Sequence, residues 1–344
     1  MAIPIKNLYF MLCYAWNRLD EAEIVNVGTE DFTELGDLFA RVLISGVRRS
    51  LKDGLDRGYH QEDEDSACIR GRLDVDASLS RLLLRQARAQ CRVDELTTNI
   101  LPNQIIKTTM WRLAHVKALD KELRKSLKQL CHRLSDVDLI RLTRGDFRRI
   151  QIYSNNRFYG FLIKVCQVIN DALLVNEGEG EYLFRDFIQD EHAMRQVFQD
   201  FVFNFYRLHQ KEYSVSRDRF SWDVDEVTDD VKALMPLMET DITLRSSAHA
   251  IIIDTKFSKN ALQGRFSKNT LRSEHLYQLF AYLKNLEHID PLFLGSEGIL
   301  LYPTTEQNIN FSTQIQGHRL RVCTIDLTNE ASQIKSDLLE ILEH

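Results

Sequence analysis

Through the first half of the chain, apolar residues recur every three to four positions, which is the spacing of one face of an α-helix. The stretch IKNLYFMLCYAWNRL has this pattern, and a second one, DFTELGDLFARVLISGVRRSL, begins with Asp31 as a plausible N-terminal cap. Further helices are predicted at about 99–117, 119–133 and 157–174. Between residues 67 and 96, ACIRGRLDV and AQCRVDEL alternate polar and apolar residues and predict strands. A helix-rich domain with a small β element is therefore expected.

The pattern changes after an acidic, glycine-containing segment at 175–191, and we place a domain boundary there, giving domains 1–175 and 176–344. A helix near 190–210 is followed by predicted strands, then a helix, two more strands and a terminal helix, at about 213–224, 237–245, 249–257, 272–287, 297–302, 319–327 and from 329. This order predicts a mixed α/β sheet covered by helices.

Composition limits the classes of function. The 344 residues carry a net charge of −6, so the whole molecule is not a basic nucleic-acid binder, and contacts with phosphates must come from local patches. One such patch, residues 112–150, holds eleven Lys and Arg residues against five Asp and Glu residues. It is either a solvated helix face or a surface for a partner or DNA.

The cellular setting is also constrained by the sequence. The six cysteines include no CxxC pair, which argues against a zinc ribbon or a disulfide framework. We find no signal peptide and no apolar run of membrane-spanning length. A cytoplasmic protein without a membrane partner is expected.

Candidate chemistry is concentrated in METDITLRSSAHAIIIDTKFSK, residues 238–259. Side chains alternate along a strand, so Asp254 and Lys256 share one face. If RSSAHA closes a hairpin with Arg245 opposite Ala250, Asp241 falls opposite Asp254. Two carboxylates would then converge beside one lysine.

Opposed like charges are destabilising, and a divalent cation removes the conflict. Mg²⁺ accepts one or two carboxylates, polarises phosphoryl oxygens and lowers the pKa of water, which suits phosphodiester hydrolysis. In that reading Lys256 orients the water or neutralises developing charge. The alternative is a surface hairpin with an Asp–Lys ion pair of little consequence.

The next predicted helix contains SEHLYQLFAYL, in which Gln278 and Tyr282 lie four residues apart and share one face. A core helix with one polar stripe would show the same spacing. An additional acidic ligand could come from four positions, between which the sequence does not choose: Asp190, Glu191, Glu239 and Glu274.

The order of a carboxylate, a D-x-K strand and a QxxxY helix resembles the PD-(D/E)xK nuclease superfamily, particularly its RecB-like branch. The motif is matched by Asp241, by Asp254-Thr255-Lys256, and by Gln278 with Tyr282. The resemblance implies a mixed α+β protein whose helix-rich N-terminal domain precedes an α/β nuclease domain of PD-(D/E)xK type. Many members of that branch carry an acidic residue or histidine on the helix before the sheet, where this chain has Gln199.

The whole chain resembles the McrC family, the nuclease subunits of McrBC modified-cytosine restriction systems. The blocks that carry the resemblance are IPIKNLYFMLCYAW, IRGRLDV, VDELTTNILPNQIIKTT, METDITLRSS and LYQLFAYL. The family implies a separate GTP-hydrolysing AAA+ hexameric ring, McrB, that reads methylated cytosine in double-stranded DNA. Consistent with this division, the chain has no GxxxxGK[ST] loop of its own.

In that family the N-terminal part inserts into the ring and stimulates its GTPase, while the C-terminal part cuts both DNA strands. The expected contact elements are the β segments at 67–96, with Arg70, Arg72 and Asn99 as candidate contact residues that could equally be structural.

For the active site, the resemblance implies Mg²⁺ held by Asp241, Asp254 and the Thr255 carbonyl. Lys256 would orient the water, and Gln278 and Tyr282 would brace the site or contact the DNA backbone. Two alternatives stay open: a catalytically silent adaptor of an NTPase ring, which intact Asp241, Asp254 and Lys256 argue against, and a free-standing RecB-like nuclease.

Overall fold

The computed structural model describes residues 3–17, 35–150, 157–176, 181–184, 190–224, 234–258, 262–265, 268–304 and 308–343. The chain forms two compact units. The central unit comprises Glu34–Arg185, and the sheet unit comprises Met1–Thr33 together with Asp186–His344. The proposed N-cap Asp31 lies outside the described residues.

The N-terminal segment is grouped differently from the predicted division into 1–175 and 176–344. Helix α1 (Ile5–Ala15) packs within the sheet unit, where Tyr14 is fully buried and lies against Phe201 with 5.5 Å between the ring centroids. The Tyr14 hydroxyl is 2.6 Å from His209 Nε2. The apolar stripe of α1 was visible in the sequence, but the aromatic partners it packs against are almost 190 residues away.

The central unit is mainly helical. Its helices are α2 (Leu35–Asp53), α3 (Val75–Ser80), α4 (Leu101–Leu113), α5 (Lys121–Arg133), α6 (Arg144–Arg149) and α7 (Arg157–Ala172). The three helices predicted at 99–117, 119–133 and 157–174 are thus confirmed. Helix α2 packs against α5 and α7, and α4 packs against the same two helices. Gly46 lets α2 approach α7 closely, because a Cβ there would lie 2.3 Å from Leu162 Cδ2.

A three-stranded antiparallel sheet, with strand order β1-β3-β2, forms the small β element of this unit. Its strands are β1 (Gly58–Ser66), β2 (Arg72–Asp74) and β3 (Ala89–Thr97). Strands β2 and β3 fall where the sequence predicted them. Strand β1 was not predicted, because its sequence GYHQEDEDS is mostly exposed and has no apolar alternation. A further hairpin joins β4 (Leu173–Asn176) to β5 (Glu181–Phe184).

The sheet unit is built on a six-stranded mixed sheet with strand order β14-β15-β13-β10-β9-β6. These strands are β6 (Ser214–Ser216), β9 (Ile242–Arg245), β10 (Ala250–Thr255), β13 (Glu297–Thr304), β14 (Asn310–Ile315) and β15 (His318–Asp326). Strands β10, β13 and β15 run parallel, and β6, β9 and β14 are added antiparallel. Strand β14 was not predicted, since all six of its residues are exposed.

Two short two-stranded pairs complete the strands of this unit. They are β7 (Arg219–Phe220) with β8 (Met238–Glu239), and β11 (Leu262–Arg265) with β12 (Lys268–Leu271). The helices are α1, α8 (Glu191–His209), α9 (Ser273–Ile289) and α10 (Ala331–Glu343). The mixed α+β class predicted from the sequence is confirmed.

Helix α9 covers the face of the sheet to which Ile252 belongs. Leu279 and Leu283 of α9 pack in one apolar cluster with Ile252 of β10 and Leu300 of β13. Asp254 lies two residues after Ile252 and so shares this face. Strand β10, which contains Asp254, therefore lies beneath helix α9, which contains Gln278. Among the described residues, no helix is both long and apolar enough to span a membrane.

Candidate active site

Two carboxylates meet where strands β9 and β10 separate. The antiparallel register places Arg245 opposite Ala250 and Ile242 opposite Ile253, as the hairpin prediction required. Pairing stops there, so Asp241 and Asp254 occupy the next step at the open end of the ladder. Asp254 is only 1% exposed because its strand is buried along its whole length.

Asp241 is held by three hydrogen bonds. Its Oδ2 accepts from the Thr255 amide at 2.8 Å and from the Thr255 hydroxyl at 2.7 Å. Its Oδ1 accepts from Gln199 Nε2 of α8 at 2.8 Å. Beyond the last backbone pair, the Asp241 side chain therefore joins the end of β9 to Thr255 of β10. Gln199 of α8 fixes the orientation of this carboxylate.

The charged form of Asp254 is destabilised by its surroundings. Apart from an ion pair with Lys256, whose Nζ lies 2.8 Å from Oδ2, its carboxylate oxygens have no hydrogen-bond partner among the described residues. Burial raises the pKa of Asp254 to about 7; nearby Asp241 acts in the same direction, and Lys256 and Arg195 act against it. Burial also raises the pKa of Asp241. Each of these carboxylates would be stabilised by an additional positive charge.

Lys256 links the carboxylates to helix α9. Its Nζ donates to Gln278 Oε1 at 2.7 Å, and Gln278 Nε2 donates to the Tyr282 hydroxyl at 2.6 Å. The backbone amide of Lys256 donates to Leu301 O at 2.9 Å, which anchors the lysine beside β13. Asp254, Lys256, Gln278 and Tyr282 therefore form one chain of contacts. Asp241 lies beside it, bonded to Thr255, which stands between Asp254 and Lys256 in the sequence.

The donor set fits a hard divalent cation. The buried oxygens of Asp254, whose one charged partner among the described residues is Lys256, and those of the adjacent Asp241 are the ligand type that Mg²⁺ prefers. Mg²⁺ needs only one or two carboxylates because it keeps several waters. Within the described part of the chain, no group of three or more His, Cys, Asp and Glu side chains is suitable for a metal. The amide and hydroxyl of Thr255 face Asp241, and its carbonyl as a third ligand stays a prediction.

The four candidates for an additional acidic ligand differ in their surroundings. Asp190 caps α8 by accepting from the amides of residues 192 and 193. Glu239 pairs with Arg219 at 3.1 Å, and the Glu274 side chain is 71% exposed. Of these four, only Glu191 lines a cavity together with Lys256.

That cavity contains residues the sequence analysis did not identify. It has a volume of about 150 Å³ and is lined by Glu191, Arg195, Lys256, Phe257, Ser258, Arg272 and His275. Arg195 stands one helical turn before Gln199 on α8, and His275 one turn before Gln278 on α9. Arg195 and His275 could therefore have been identified from the helix faces they share with Gln199 and Gln278. Nothing in the local sequence distinguishes Arg272.

The candidate ring-contacting residues lie in the central unit, apart from this network. Arg70 and Arg72 are exposed. Asn99 donates to Asp138 Oδ2 at 2.6 Å and accepts from Gln104 at 2.8 Å, so it has a structural role in joining β3 to its surroundings.

The fold and the site together define a class: a two-unit α+β protein with paired carboxylates and a lysine on a mixed sheet. Residues 5–303 match the sequence model of the family described as McrBC 5-methylcytosine restriction system component. The chain is also 30% identical over 341 residues to the "Type IV methyl-directed restriction enzyme EcoKMcrBC" of Escherichia coli K12, an alignment covering 99% of this chain and 97% of the relative. The chain therefore belongs to the McrBC 5-methylcytosine restriction system component family, as its sequence blocks indicated.

One solved structure supports the fold. A half-complex of a tetradecameric assembly of Thermococcus gammatolerans McrB AAA+ hexamers with bound McrC contains a matching chain, with a TM-score of 0.60 and 15% identity. The match covers 98% of this chain and 75% of that one. A Thermococcus gammatolerans McrBC complex also matches, with a TM-score of 0.44 and 16% identity over 61% of this chain and 60% of that one.

Proposed function

We propose that this chain is the Mg²⁺-dependent endonuclease subunit of a McrBC-type restriction complex, with a nuclease site of PD-(D/E)xK type. The observation that carries the proposal is the junction of Asp241 and Asp254 with Lys256 2.8 Å from Asp254, under the helix that supplies Gln278. A buried carboxylate with unpaired oxygens is costly unless a cation uses it. Ionisable groups whose pKa is strongly perturbed by burial and by a charged partner cluster at functional sites, which supports a functional role for Asp254.

In the proposed mechanism, Asp241 and Asp254 would hold Mg²⁺, and the Thr255 carbonyl would be a further ligand. When bound, Mg²⁺ acts as a Lewis acid toward a phosphoryl oxygen and lowers the pKa of water. Lys256 is held between Asp254 and Gln278, so its ammonium is fixed where it orients the attacking water and offsets negative charge developing on the phosphate.

The remaining residues of the site position this lysine. Tyr282 accepts from Gln278 Nε2, which leaves Gln278 Oε1 directed at Lys256 Nζ. Gln199 and Thr255 fix the orientation of Asp241. DNA phosphates would be bound by charge, with no base readout in this unit, because phosphate contacts position the duplex without specifying sequence.

Plasmid cleavage tests this proposal. Full-length protein is mixed with its cognate ring subunit, GTP, Mg²⁺ and a plasmid carrying methylated cytosines, and GTP turnover is followed in parallel. We expect Asp254→Ala and Lys256→Ala to lose cleavage by at least a factor of about 100, as when a transition-state charge partner is removed. Stimulation of GTP hydrolysis should persist in both variants.

The other readings predict different results. A catalytically silent adaptor would stimulate GTP hydrolysis while the wild type cuts nothing. A free-standing nuclease would cut without GTP or the ring. Cleavage that survives either substitution would place the nuclease centre elsewhere in the complex.

For the partner, we propose a McrB-like GTP-hydrolysing AAA+ hexameric ring acting on double-stranded DNA with methylated cytosine. The Thermococcus McrC is bound to McrB AAA+ hexamers, and the central unit offers an apolar surface suited to such a contact. This surface, the apolar knob, consists of exposed side chains in a 16-residue stretch: Ile69, Leu73, Val75, Leu79, Leu82 and Leu84. Contiguous exposed apolar side chains mark protein interaction sites.

Charged substitutions in the apolar knob test the partner assignment. Leu82 and Leu84 are each 55% exposed, so Leu82→Asp with Leu84→Asp should leave the melting temperature within a few degrees of wild type. Stimulation of the ring's GTPase should fall by at least about tenfold, since a desolvated charge opposes docking. Leu139→Asp is the matched control, at 48% exposure in the same unit. Equal stimulation by the knob variant and this control would contradict the assignment.

A further inference from the structure

The cavity beside Lys256 has the wrong charge for a second cation site. Among its lining residues, Arg195, Lys256 and Arg272 are cationic, and Glu191 is the only acidic one. Lys256 is shared with the carboxylate network, so the cavity and the candidate metal site have a common wall. A cavity lined mainly by one sign of charge concentrates ligands of the opposite sign.

Both arginines have N–H donors without a partner among the described residues. Arg195 makes no hydrogen bond or ion pair with the described residues. Within the same part of the chain, Arg272 Nε is buried without a partner, and the one ion pair of the Arg272 guanidinium is with Glu274, at 3.7 Å. Guanidinium groups present planar pairs of N–H donors that match phosphate oxygens, so unpaired donors here are suited to that ligand.

The three cationic side chains that line the cavity, Arg195, Lys256 and Arg272, all act electrostatically on His275. Arg195 lies within electrostatic range of Asp254 and favours its charged form, which lowers the pKa of that carboxyl. Burial, followed by Lys256, Arg272 and Arg195 and opposed by Glu274, lowers the pKa of His275. The imidazole is therefore neutral near pH 7, and its Nδ1 lies 2.8 Å from the Tyr302 hydroxyl. A neutral imidazole leaves the arginines as the charged groups available to an anion.

We propose that Arg195 and Arg272 bind a backbone phosphate of the DNA strand next to the phosphate that is cut. This inference rests on the proposed nuclease function and names how the same site holds its substrate. The volume of about 150 Å³ exceeds the roughly 30 Å³ share of one water, which leaves room for a phosphate group. Binding here would fix the strand relative to Lys256 without reading its sequence.

Thymidine 3′,5′-bisphosphate is the probe, because it presents two phosphates spaced as in a DNA strand. Binding to the full-length chain is measured by calorimetry with Ca²⁺ replacing Mg²⁺. We expect Arg195→Gln and Arg272→Gln each to weaken binding about tenfold, the loss expected for a charge-assisted contact. Arg195→Lys should recover part of the affinity, since it keeps the charge but loses the planar fork.

Arg207→Gln is the matched control for these variants. It makes the same change on the same helix, twelve residues or about 18 Å from Arg195. Its affinity for the bisphosphate should equal that of the wild type, and the melting temperatures of all variants should agree within a few degrees. Raising the salt concentration should weaken binding to the wild type more than to the double Gln variant, because two cationic contacts are already missing from that variant.

The outcomes separate this inference from the proposed function. If the wild type does not bind the bisphosphate, or if both Gln variants bind it as Arg207→Gln does, the phosphate site is wrong even where Asp254→Ala abolishes plasmid cleavage. If the Gln variants weaken binding while Asp254→Ala still cuts, the phosphate site stands and the catalytic assignment fails. In the intact complex, single-turnover cleavage by the double variant should fall with GTP turnover unchanged.

Discussion

Asp254 is a single residue whose buried charge lowers the stability of the fold. A carboxylate at 1% exposure, whose one ion pair within the described residues is with Lys256, is a poor choice for a strand core that is rich in isoleucine. The sequence made this conflict visible, since an apolar run ending in D-x-K places a charge where an apolar residue is expected. The effect of this buried charge on the free energy of unfolding can be measured without any nuclease assay.

Replacing Asp254 with asparagine should stabilise the metal-free protein at alkaline pH. The folded-state pKa is raised to about 7, so between the ordinary carboxyl pKa of 3.8 and 7 the folded protein binds more protons than the unfolded chain. The stability contributed by Asp254 therefore falls as pH rises through this range. Asparagine has no such loss, so its advantage in unfolding free energy should grow from pH 5 to pH 8 and reach about 1–3 kcal/mol.

Urea unfolding in EDTA across this pH range measures the effect, with Asp223→Asn as a surface control whose side chain is half exposed. Adding Mg²⁺ should stabilise the wild type but not the Asp254→Asn variant, because only the wild type gains binding free energy. An asparagine variant that is less stable than wild type at pH 8 would show that the carboxylate is compensated by contacts other than Lys256.

Other residues of the site could not be found from sequence spacing. Gln199 was noticed only as a missing acid, yet its amide orients Asp241 from a different helix. Thr255 was expected to contribute its carbonyl, whereas its amide and hydroxyl both bond to Asp241. Such contacts depend on how α8 sits on the sheet, and the local pattern of a helix does not specify that placement.

At the scale of elements, the contact between α9 and the sheet sets the position of Gln278. Gly298 of β13 lies beneath this helix, and a Cβ there would come within 2.8 Å of Leu283 Cδ1 and 3.1 Å of Leu279 Cδ2. Leu320 Cδ2 would be 3.0 Å away on the other side. The helix can therefore approach the sheet closely only because this position has no side chain.

Gly298→Ala should move α9 away from β13 and reduce the free energy of unfolding by about 1–3 kcal/mol, the usual cost of overfilling a packed core. Because Gln278 and Tyr282 move with the helix, cleavage should fall several-fold beyond the stability loss at a temperature where the protein is folded. Gly145→Ala is the control, with Thr143 Oγ1 the nearest atom at 3.6 Å. Normal cleavage by a destabilised Gly298→Ala variant would mean that the helix position does not control the site.

The elements that the sequence predicted share one property: each buries an apolar face. Helices α4, α5, α7, α8 and α9 and the core strands have apolar residues at the required period, so their locations follow from burial. Strands β1 and β14 expose nearly every residue and are held by ladder hydrogen bonds to β3 and β15. A strand stabilised by backbone pairing and by surface contacts such as the ion pair of Asp63 with Arg92 has no hydrophobic pattern to detect.

For the whole molecule, the sheet unit is discontinuous in sequence, with the central unit inserted between α1 and α8. The chain passes from the central unit back to the sheet unit near residue 186, and a change in composition is visible near this point, where the sequence predicted a boundary at 175. The earlier passage, from the sheet unit into the central unit, shows no change in composition, because α1 and α2 are both amphipathic helices. Amphipathicity predicts that a helix has a buried face and does not specify which unit buries it.

Tyr14→Ala tests this arrangement. Tyr14 is fully buried against Phe201 and Phe205, so truncation should lower the stability of the sheet unit by about 3–5 kcal/mol, the range for deleting a buried aromatic ring. Hydrogen exchange should speed up in α8 and β10, while the core helices of the central unit keep their protection. Plasmid cleavage should fall at elevated temperature before stimulation of the ring's GTPase does.

Tyr59→Ala is the control for this prediction, since Tyr59 is 78% exposed in the central unit and its loss should change stability by less than about 0.5 kcal/mol. Faster exchange in α2, α4 and α7 of the Tyr14→Ala protein would assign α1 to the central unit and restore the continuous division at 175. Faster exchange confined to the sheet unit would instead mean that the N-terminal helix is part of the scaffold holding Gln199 beside Asp241. Helix α1 would then be needed for the proposed cleavage, even though every proposed residue of the nuclease site lies more than 170 residues further along the chain.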